Sequence, residues 1–359
     1  MPAHAAFLLP DAGAGGAERL TLDLMHGFVA RGARVDLVLQ QAVGEFLGMI
    51  PAGVRVIDLA APRLRSAWRP LRGYLQQERP DALLAAMWPL TTVAMAAAAG
   101  LRQRPRMVLS DHCALREQYA GQARTLAAMK LTIPLSYRRA DAVIAVSQAL
   151  AKDLAQIAAM PPERVTAVCN PVPQPLRSGT QADWGARSGP RVLGVGSLKA
   201  QKNFALLIRA FARLDPALEA TLAIVGEGTE RTALEALVTE LGLTGRVLLP
   251  GFTTTPGDWY ESANLFALSS DYEGFGNVLV EAMHCGLSVV ATDCPHGPAE
   301  VLGNGRWGRL VPVGDAAALA GAIDACLATP LDPAVQRARA AEFSVERAVD
   351  GYWRAMFGP

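Results

Sequence analysis

Short apolar runs alternate along this chain with longer segments whose apolar positions recur every three to four residues. In the first half, strand-like runs rich in Val, Ile, Leu and Ala lie at Ala5–Leu9, Arg34–Leu39, Val54–Ile57, Ala82–Ala86, Arg106–Leu109, Ala142–Ala145 and Val165–Val168. Helix-like pieces at Ala17–Arg31, Arg69–Glu78 and Gln148–Ala158 lie between several of them. The second half repeats the theme, with strands expected at Val192–Val195, Thr221–Val225, Val247–Leu249, Leu265–Leu268 and Ser288–Ala291. Apolar strands that alternate with helices predict parallel sheets covered by helices on both faces. The segment from Asn170 to Pro190 breaks the pattern, being rich in Pro, Gly and polar residues. The expected organisation is α/β: a Rossmann-like domain over 1–172, a linker over 173–190 and a second Rossmann-like domain over 191–359. Its last helix is a candidate to pack back on the first domain. Two such domains are expected to face each other across a cleft, with ligands at strand C-terminal ends.

Composition supports a globular reading and removes several others. The chain has 359 residues, 51% apolar and 19% charged, enough for two domains with real cores. A net charge of +1 gives nucleic acid no reason to bind the molecule as a whole. Charge is nevertheless divided: residues 1–178 hold 20 basic against 13 acidic side chains, a net of +7, and the remainder is correspondingly acidic. Such a division serves either attraction between domains or contact with an anionic acceptor or membrane face. Five cysteines without a CxxC pair suggest neither a disulfide framework nor a zinc ribbon, and point to a reducing compartment. The uncharged stretch from Ala82 to Gly100 has membrane-span length, but it is Ala-rich and interrupted by Pro89, so a buried strand and a core helix are expected. No signal peptide is expected from the N-terminal residues.

The most informative chemistry lies in the segment DYEGFGNVLVEAMHCGLSVVATDCPHGPAEV, residues 271–301. Glu273 and Glu281 flank a Gly274-Phe275-Gly276-Asn277 turn that should open a helix. Helical rise alone then separates the two carboxylates by about 12 Å, too far for a shared proton. It also exceeds the roughly 5–9.5 Å of glycosidase carboxylate pairs. At that spacing they suit the two ends of one extended polar ligand, with the amides of the helix start between them. A loop glutamate and a surface helix glutamate without a shared role would give the same spacing.

The Glu273-x7-Glu281 stretch with its flanking EGFGNVLVEAMHCG resembles the signature of the retaining family-4 glycosyltransferases of the GT-B fold. Two further matches fall in order: Gly15-Gly16-Ala17-Glu18-Arg19, and Val195-Gly196-Ser197-Leu198-Lys199-Ala200-Gln201-Lys202-Asn203. The resemblance implies that Glu281 binds the ribose of a nucleotide sugar. It places Glu273 on the transferred sugar, helped by the amides of Phe275, Gly276 and Asn277. Lys202 would neutralise the departing diphosphate, since developing charge on a leaving group needs preorganised donors. Ser197 stands where the commonest family pattern has Arg, which leaves Lys199 or local hydroxyl and amide donors to supply the second contact. Gly15 and Gly16 are placed against the donor, His112 near the reacting sugar, and Glu227 and Phe252 in loops flanking the base. With His112, Glu273 and Lys202 as the catalytic set, no cofactor and no metal are expected, and the sequence contains no DxD.

The implied donor is UDP-linked, as in the family variant most similar to this one, and carries an N-acetylhexosamine or hexose. The implied acceptor is a glycan or polyprenyl-linked glycan of bacterial surface polysaccharide synthesis, and the implied location is the cytoplasm or the inner face of its membrane. A GDP-mannose-dependent mannosyltransferase of the same family is an alternative. A sugar-nucleotide epimerase and a non-catalytic nucleotide- or glycan-binding subunit are alternatives of other classes. Arg65, Arg69 and Arg72, in the segment Arg63–Arg79, are expected on one helical face as either a solvated surface or a basic contact to an anionic membrane.

Overall fold

The computed structural model describes residues 2–13 and 15–358. The chain divides into two compact units, one made of Met1–Pro171 with Ser344–Pro359, the other of Val172–Phe343. Each is built on one all-parallel sheet. The first sheet contains β1 (His4–Leu9), β2 (Arg34–Leu39), β3 (Val54–Asp58), β4 (Ala82–Ala86), β5 (Arg106–Asp111), β6 (Ala142–Ala145) and β7 (Val165–Ala167). Their spatial order is β3-β2-β1-β4-β5-β6-β7. The second contains β8 (Arg191–Val195), β9 (Thr221–Val225), β10 (Val247–Gly251), β11 (Leu265–Leu268), β12 (Ser288–Thr292) and β13 (Arg309–Val311), in the order β10-β9-β8-β11-β12-β13. The central strands β1, β4, β9, β11 and β12 are buried along their whole length. This is why they read as continuous apolar runs instead of alternating ones. The short β13 has only three residues, below the length at which an apolar run is distinctive.

Strand order places the site. Chain order reverses between β1 and β4 in the first sheet and between β8 and β11 in the second. At such a switch point the two following loops part to opposite faces of the sheet, leaving a crevice at the strand C-termini. The loop from Pro10 follows β1 into the helix Gly16–Ala30, and the loops after β8 and β11 carry Gly196–Asn203 and Ser269–Gly276. The expected glycine-rich, lysine and first-glutamate segments therefore all leave a switch point.

The last helix, Val345–Phe357, belongs to the first unit and packs on Gly16–Ala30. Phe28 meets Trp353 with ring centroids 5.1 Å apart, and Arg106 Nε donates to Ala355 O at 2.7 Å. Gly27 permits the approach, since a Cβ there would lie 2.4 Å from a Val349 methyl. The irregular stretch 173–190 contains neither helix nor strand, and it is tied to the second unit. Trp184 is buried edge-on against Trp259 and donates to Ser262 Oγ at 2.8 Å, while Asp258 accepts from the Ser178 and Gly179 amides at 3.1 Å. The stretch from Ala82 resolves into β4 and the helix Leu90–Ala98. Among the described residues no single helix is long and apolar enough to cross a membrane.

Candidate functional site: Lys202, Glu273 and Glu281

In the second unit, the loops after β8 and β11 converge on one ion pair. Lys202 Nζ lies 2.6 Å from Glu273 Oε1, although 71 residues separate them. Both groups are largely withdrawn from solvent, at 17% and 7% side-chain exposure. Such a pair gains most where further hydrogen bonds complete the shell. Ser270 Oγ donates to the same Glu273 oxygen at 2.7 Å. Ser269 Oγ donates to the Lys202 carbonyl at 2.9 Å, and Thr292 Oγ1, at the end of β12, donates to the Ser270 carbonyl at 2.6 Å. Gln201 and Asn203 complete the junction, donating to Tyr272 O at 2.9 Å and Asp271 Oδ1 at 2.8 Å. The lysine is thus held on both sides by its neighbours in sequence. An ammonium carries three N–H donors, so Glu273 leaves it capacity for an anionic ligand.

Glu281 lies on the helix Asn277–His284, one turn in from a start set by Gly276. Gly276 has φ +92°, a left-handed conformation that a side chain would strain. Tyr260 OH, on the buried side of the short helix Gly257–Ser262, donates to Glu281 Oε2 at 2.8 Å. This fixes the carboxylate to which the family resemblance gives the ribose contact. Phe275 is buried edge-to-face against Phe343 at 5.3 Å, so only its backbone can meet a ligand.

The loops following β8, β9 and β10 form one rim. Leu198 N donates to Glu227 O at 2.8 Å, and Gly226 N donates to Gly251 O at 2.9 Å. Gly226 is required there, because a Cβ would fall 1.9 Å from Gly196 O. Glu227 pairs with Arg231 through two contacts of 2.9 and 2.6 Å, and that guanidinium holds its carboxyl below the ordinary range. Phe252, just past β10, is 65% exposed and offers an open ring face. Ser197 and Lys199 are exposed on the same loop as Lys202.

In the first unit, His112 directly follows β5. Ser110 Oγ and His112 Nε2 are 2.7 Å apart, and His112 Nδ1 is buried without a protein hydrogen-bond partner. Burial lowers the imidazole pKa to about 4, so the ring is neutral at neutral pH. The preceding Asp111 accepts from Tyr137 OH and from Trp88 N, and its burial raises it to about 6. Gly15 caps the helix Gly16–Ala30; a Cβ there would meet the Glu18 carboxylate at 2.1 Å, and one at Gly16 would meet nothing within 4 Å. Ala14, between the loop's glycines, lies outside the described residues.

The arginine expectation needs correction. Arg65 lies in a separate 3-10 turn, Leu64–Ser66, while Arg69 and Arg72 are in the helix Trp68–Glu78. Arg72 donates to Ala97 O at 3.0 Å and Ala99 O at 2.6 Å, closing the C-terminal end of the helix Leu90–Ala98. It is a structural clamp on a neighbouring helix, and the three do not form one free basic face. Arg69 stacks over Trp68 with its guanidinium 5.2 Å from the ring centroid.

Sequence reasoning missed Tyr260, Ser269, Ser270 and Thr292. Hydroxyl residues at strand ends carry no spacing signal, and their partners are fixed only by sheet order. If Glu281 holds the ribose as the family resemblance implies, Tyr260→Phe should weaken nucleoside-diphosphate binding about tenfold, as loss of a hydrogen bond to a charged group does, with unchanged secondary structure. Isothermal titration calorimetry with UDP and GDP, alongside circular dichroism, measures this; unaltered affinity for the nucleotide that binds would remove Tyr260 from the site.

Two parallel Rossmann-like sheets, each with its loops converging at a switch point, are the architecture of the GT-B fold. Residues 14–174 match the family described as Glycosyltransferase Family 4, and residues 189–329 match Glycosyl transferases group 1. The chain belongs to the family-4, group 1 glycosyltransferases. It is 37% identical over 184 residues to the Campylobacter jejuni N-acetylgalactosamine-N,N'-diacetylbacillosaminyl-diphospho-undecaprenol 4-alpha-N-acetylgalactosaminyltransferase, covering 51% of this chain and 50% of that one. A lipopolysaccharide core biosynthesis glycosyltransferase of Rhizobium meliloti is 34% identical over 168 residues, 45% of this chain and 48% of the relative. The matches span about half the length of these curated relatives. The solved structure of Anabaena HepE in complex with UDP superposes with a TM-score of 0.78 over 98% of both chains at 24% identity, a likeness of fold.

Proposed function

We propose that the protein is a retaining, metal-independent glycosyltransferase. It moves an N-acetylhexosamine or hexose from a UDP-sugar to a hydroxyl of a glycan or polyprenyl-diphosphate-linked glycan in bacterial surface polysaccharide or glycoconjugate synthesis. The observation that carries this reading is the Lys202–Glu273 pair at the β8/β11 switch point, with Glu281 oriented by Tyr260 eight residues beyond Glu273. The relative that acts on an undecaprenyl-diphosphate glycan and the UDP complex of similar fold support the acceptor and nucleotide classes. A UDP-sugar donor fits a reaction in the cytoplasm or at the inner face of its membrane.

In this mechanism the second unit binds the donor and the first takes the acceptor. Glu281 accepts the ribose hydroxyls and Phe252 offers its ring to the base. Glu273 accepts hydroxyls of the transferred sugar, while amides of Gly274, Phe275, Gly276 and Asn277 donate to donor oxygens. Glu227, bound to Arg231, borders the nucleotide through its loop. The anomeric C–O bond to the diphosphate breaks as the acceptor oxygen bonds to the same face. The acceptor proton passes to the departing phosphate oxygen, and Lys202, with Ser197 and loop amides, stabilises the charge that develops there. His112 and the Gly15-Gly16 loop keep the roles that the family resemblance gives them, at the strand C-termini of the first unit.

A thermal-shift screen of UDP, GDP and ADP with their sugars tests the donor. A true ligand at 100 times its dissociation constant stabilises by about 2.7 kcal/mol. GDP-selective stabilisation would favour the mannosyltransferase reading, and sugar inversion in donor alone, seen by NMR, the epimerase. Transfer to a polyprenyl-diphosphate glycan should be undiminished in EDTA, because Lys202 and amides supply the charge that a DxD-bound cation would otherwise supply. A requirement for added Mn²⁺ or Mg²⁺ would refute that part.

A further inference from the structure

Arg339, in the helix Pro333–Ala340 of the second unit, is engaged both along the edge of its guanidinium and over its plane. Along the edge, Nε donates to Val301 O at 3.0 Å, Nη2 to Glu300 O at 2.7 Å and Nη1 to Glu342 Oε2 at 2.5 Å. The two carbonyls are the last of the helix Pro298–Val301, where a helix runs out of internal donors. Over the plane, the guanidinium carbon lies 4.1 Å from the Trp307 ring centroid and 4.6 Å from that of Phe343. Only arginine combines a planar fork of donors with such stacking; lysine offers a point charge. The side chain is 12% exposed, so these contacts are made largely out of water.

Both sets of contacts lead to the turn that opens the Glu281 helix. The helix held by Arg339 begins at Gly297, which lies directly on the Phe275 backbone: a Cβ there would stand 2.0 Å from Phe275 O and 2.3 Å from its carbonyl carbon. In the same loop, Pro295 O accepts from Glu273 N at 3.3 Å. From another direction, Phe343 meets the Phe275 ring edge-to-face at 5.3 Å. Phe275 is therefore held at its backbone through Gly297 and at its ring through Phe343, and Arg339 stands behind both. A close-packed interior passes a displacement on to its neighbours. We infer that Arg339 is a positioning residue for the Gly274-Phe275-Gly276-Asn277 turn, setting where its amides and the neighbouring Glu273 stand. The inference rests on the donor contacts proposed above for that turn, and Arg339 acts on them through Gly297 and Phe343.

The test is hydrogen–deuterium exchange of the full chain without nucleotide, followed by nucleotide titration and steady-state transfer on the same preparations. R339M keeps the length and apolar stem of the side chain and removes every donor. Exchange over residues 273–284 should rise about tenfold, while the helix Arg231–Glu240 of the same unit changes less than about threefold. The nucleotide that the parent binds, UDP or GDP, should lose less than about fivefold in affinity, because Tyr260 still orients Glu281. The transfer kcat should fall roughly 10–100-fold, the range for a displacement of about 1 Å at a reacting site. F343L should lose less than R339M, and R339M/F343L should stay within about twofold of R339M, since both act through Phe275. R339K should fall between parent and R339M in exchange and in kcat, and it carries the test where R339M does not fold. Parental exchange over 273–284 in a folded R339M would overturn the inference. So would a lower melting temperature with evenly raised exchange and an unchanged kcat per folded molecule, or losses that multiply in the double variant. A parent that neither binds nucleotide nor transfers sugar would sink the donor reading instead, while exchange would still decide whether Arg339 holds the turn.

Discussion

Lys202→Met should lower sugar transfer by about 10²–10³-fold at saturating donor. This is the range seen when one preorganised electrostatic group is removed from a developing charge. In the proposed mechanism the diphosphate gains negative charge as the anomeric bond breaks, and the Lys202 ammonium, largely withdrawn from solvent, meets it without reorganising. Methionine keeps the length and apolar stem of the side chain but supplies no donor. The substitution also leaves Glu273 without its 2.6 Å cationic partner, while retaining the Ser270 hydrogen bond. Loss of a buried partner destabilises, so melting temperature must be measured beside kcat. A variant that remains folded at the assay temperature and transfers at the parental rate would take Lys202 out of the chemistry.

Glu281→Ala and Glu273→Gln should fail in different ways. In the proposed mechanism, removing the Glu281 carboxylate deletes a charged hydrogen-bond acceptor for ribose, worth about 1.5–3 kcal/mol. UDP affinity should therefore fall roughly 10–100-fold. Glu273 is proposed to serve the other end of the ligand, and Gln preserves its shape and one oxygen for Ser270 while losing the charge. Free UDP should bind Glu273→Gln within about threefold of the parent, while kcat for the UDP-sugar falls about 100-fold, because the lost interaction serves the transferred sugar and the reacting centre. Titration calorimetry with UDP and steady-state kinetics on the same preparations separate the two. Equal loss of UDP affinity in both variants would undo the assignment of opposite ends.

Much of the fold was legible because its signals are local. The buried parallel strands read as apolar runs, and the start of the helix carrying Glu281 was marked by the Gly-Phe-Gly-Asn turn. The EX7E stretch and the Lys202 segment could be named from sequence order and family resemblance. Other features were not legible. Arg72 shares a helical face with Arg69 by spacing, yet its guanidinium reaches the carbonyls ending a helix about 25 residues away. Trp184 sits in a Pro- and Gly-rich stretch that reads as linker, yet it is buried against Trp259. The three-residue β13 was too short to show a pattern and exists through its pairing with β12.

The sequence by itself determined the alternation of strand and helix, the number of domain-sized halves and the identity of the charged groups available for chemistry. Those properties depend on side-chain periodicity and turn residues within a few positions of one another. Only the tertiary structure decided that β8 and β11 are neighbours, and therefore that Lys202 meets Glu273 across 71 residues of chain. It likewise decided that Tyr260 orients Glu281. Strand order is chosen by the packing of whole elements against one another. No local stretch of sequence contains that information, because an apolar run is equally at home beside any other.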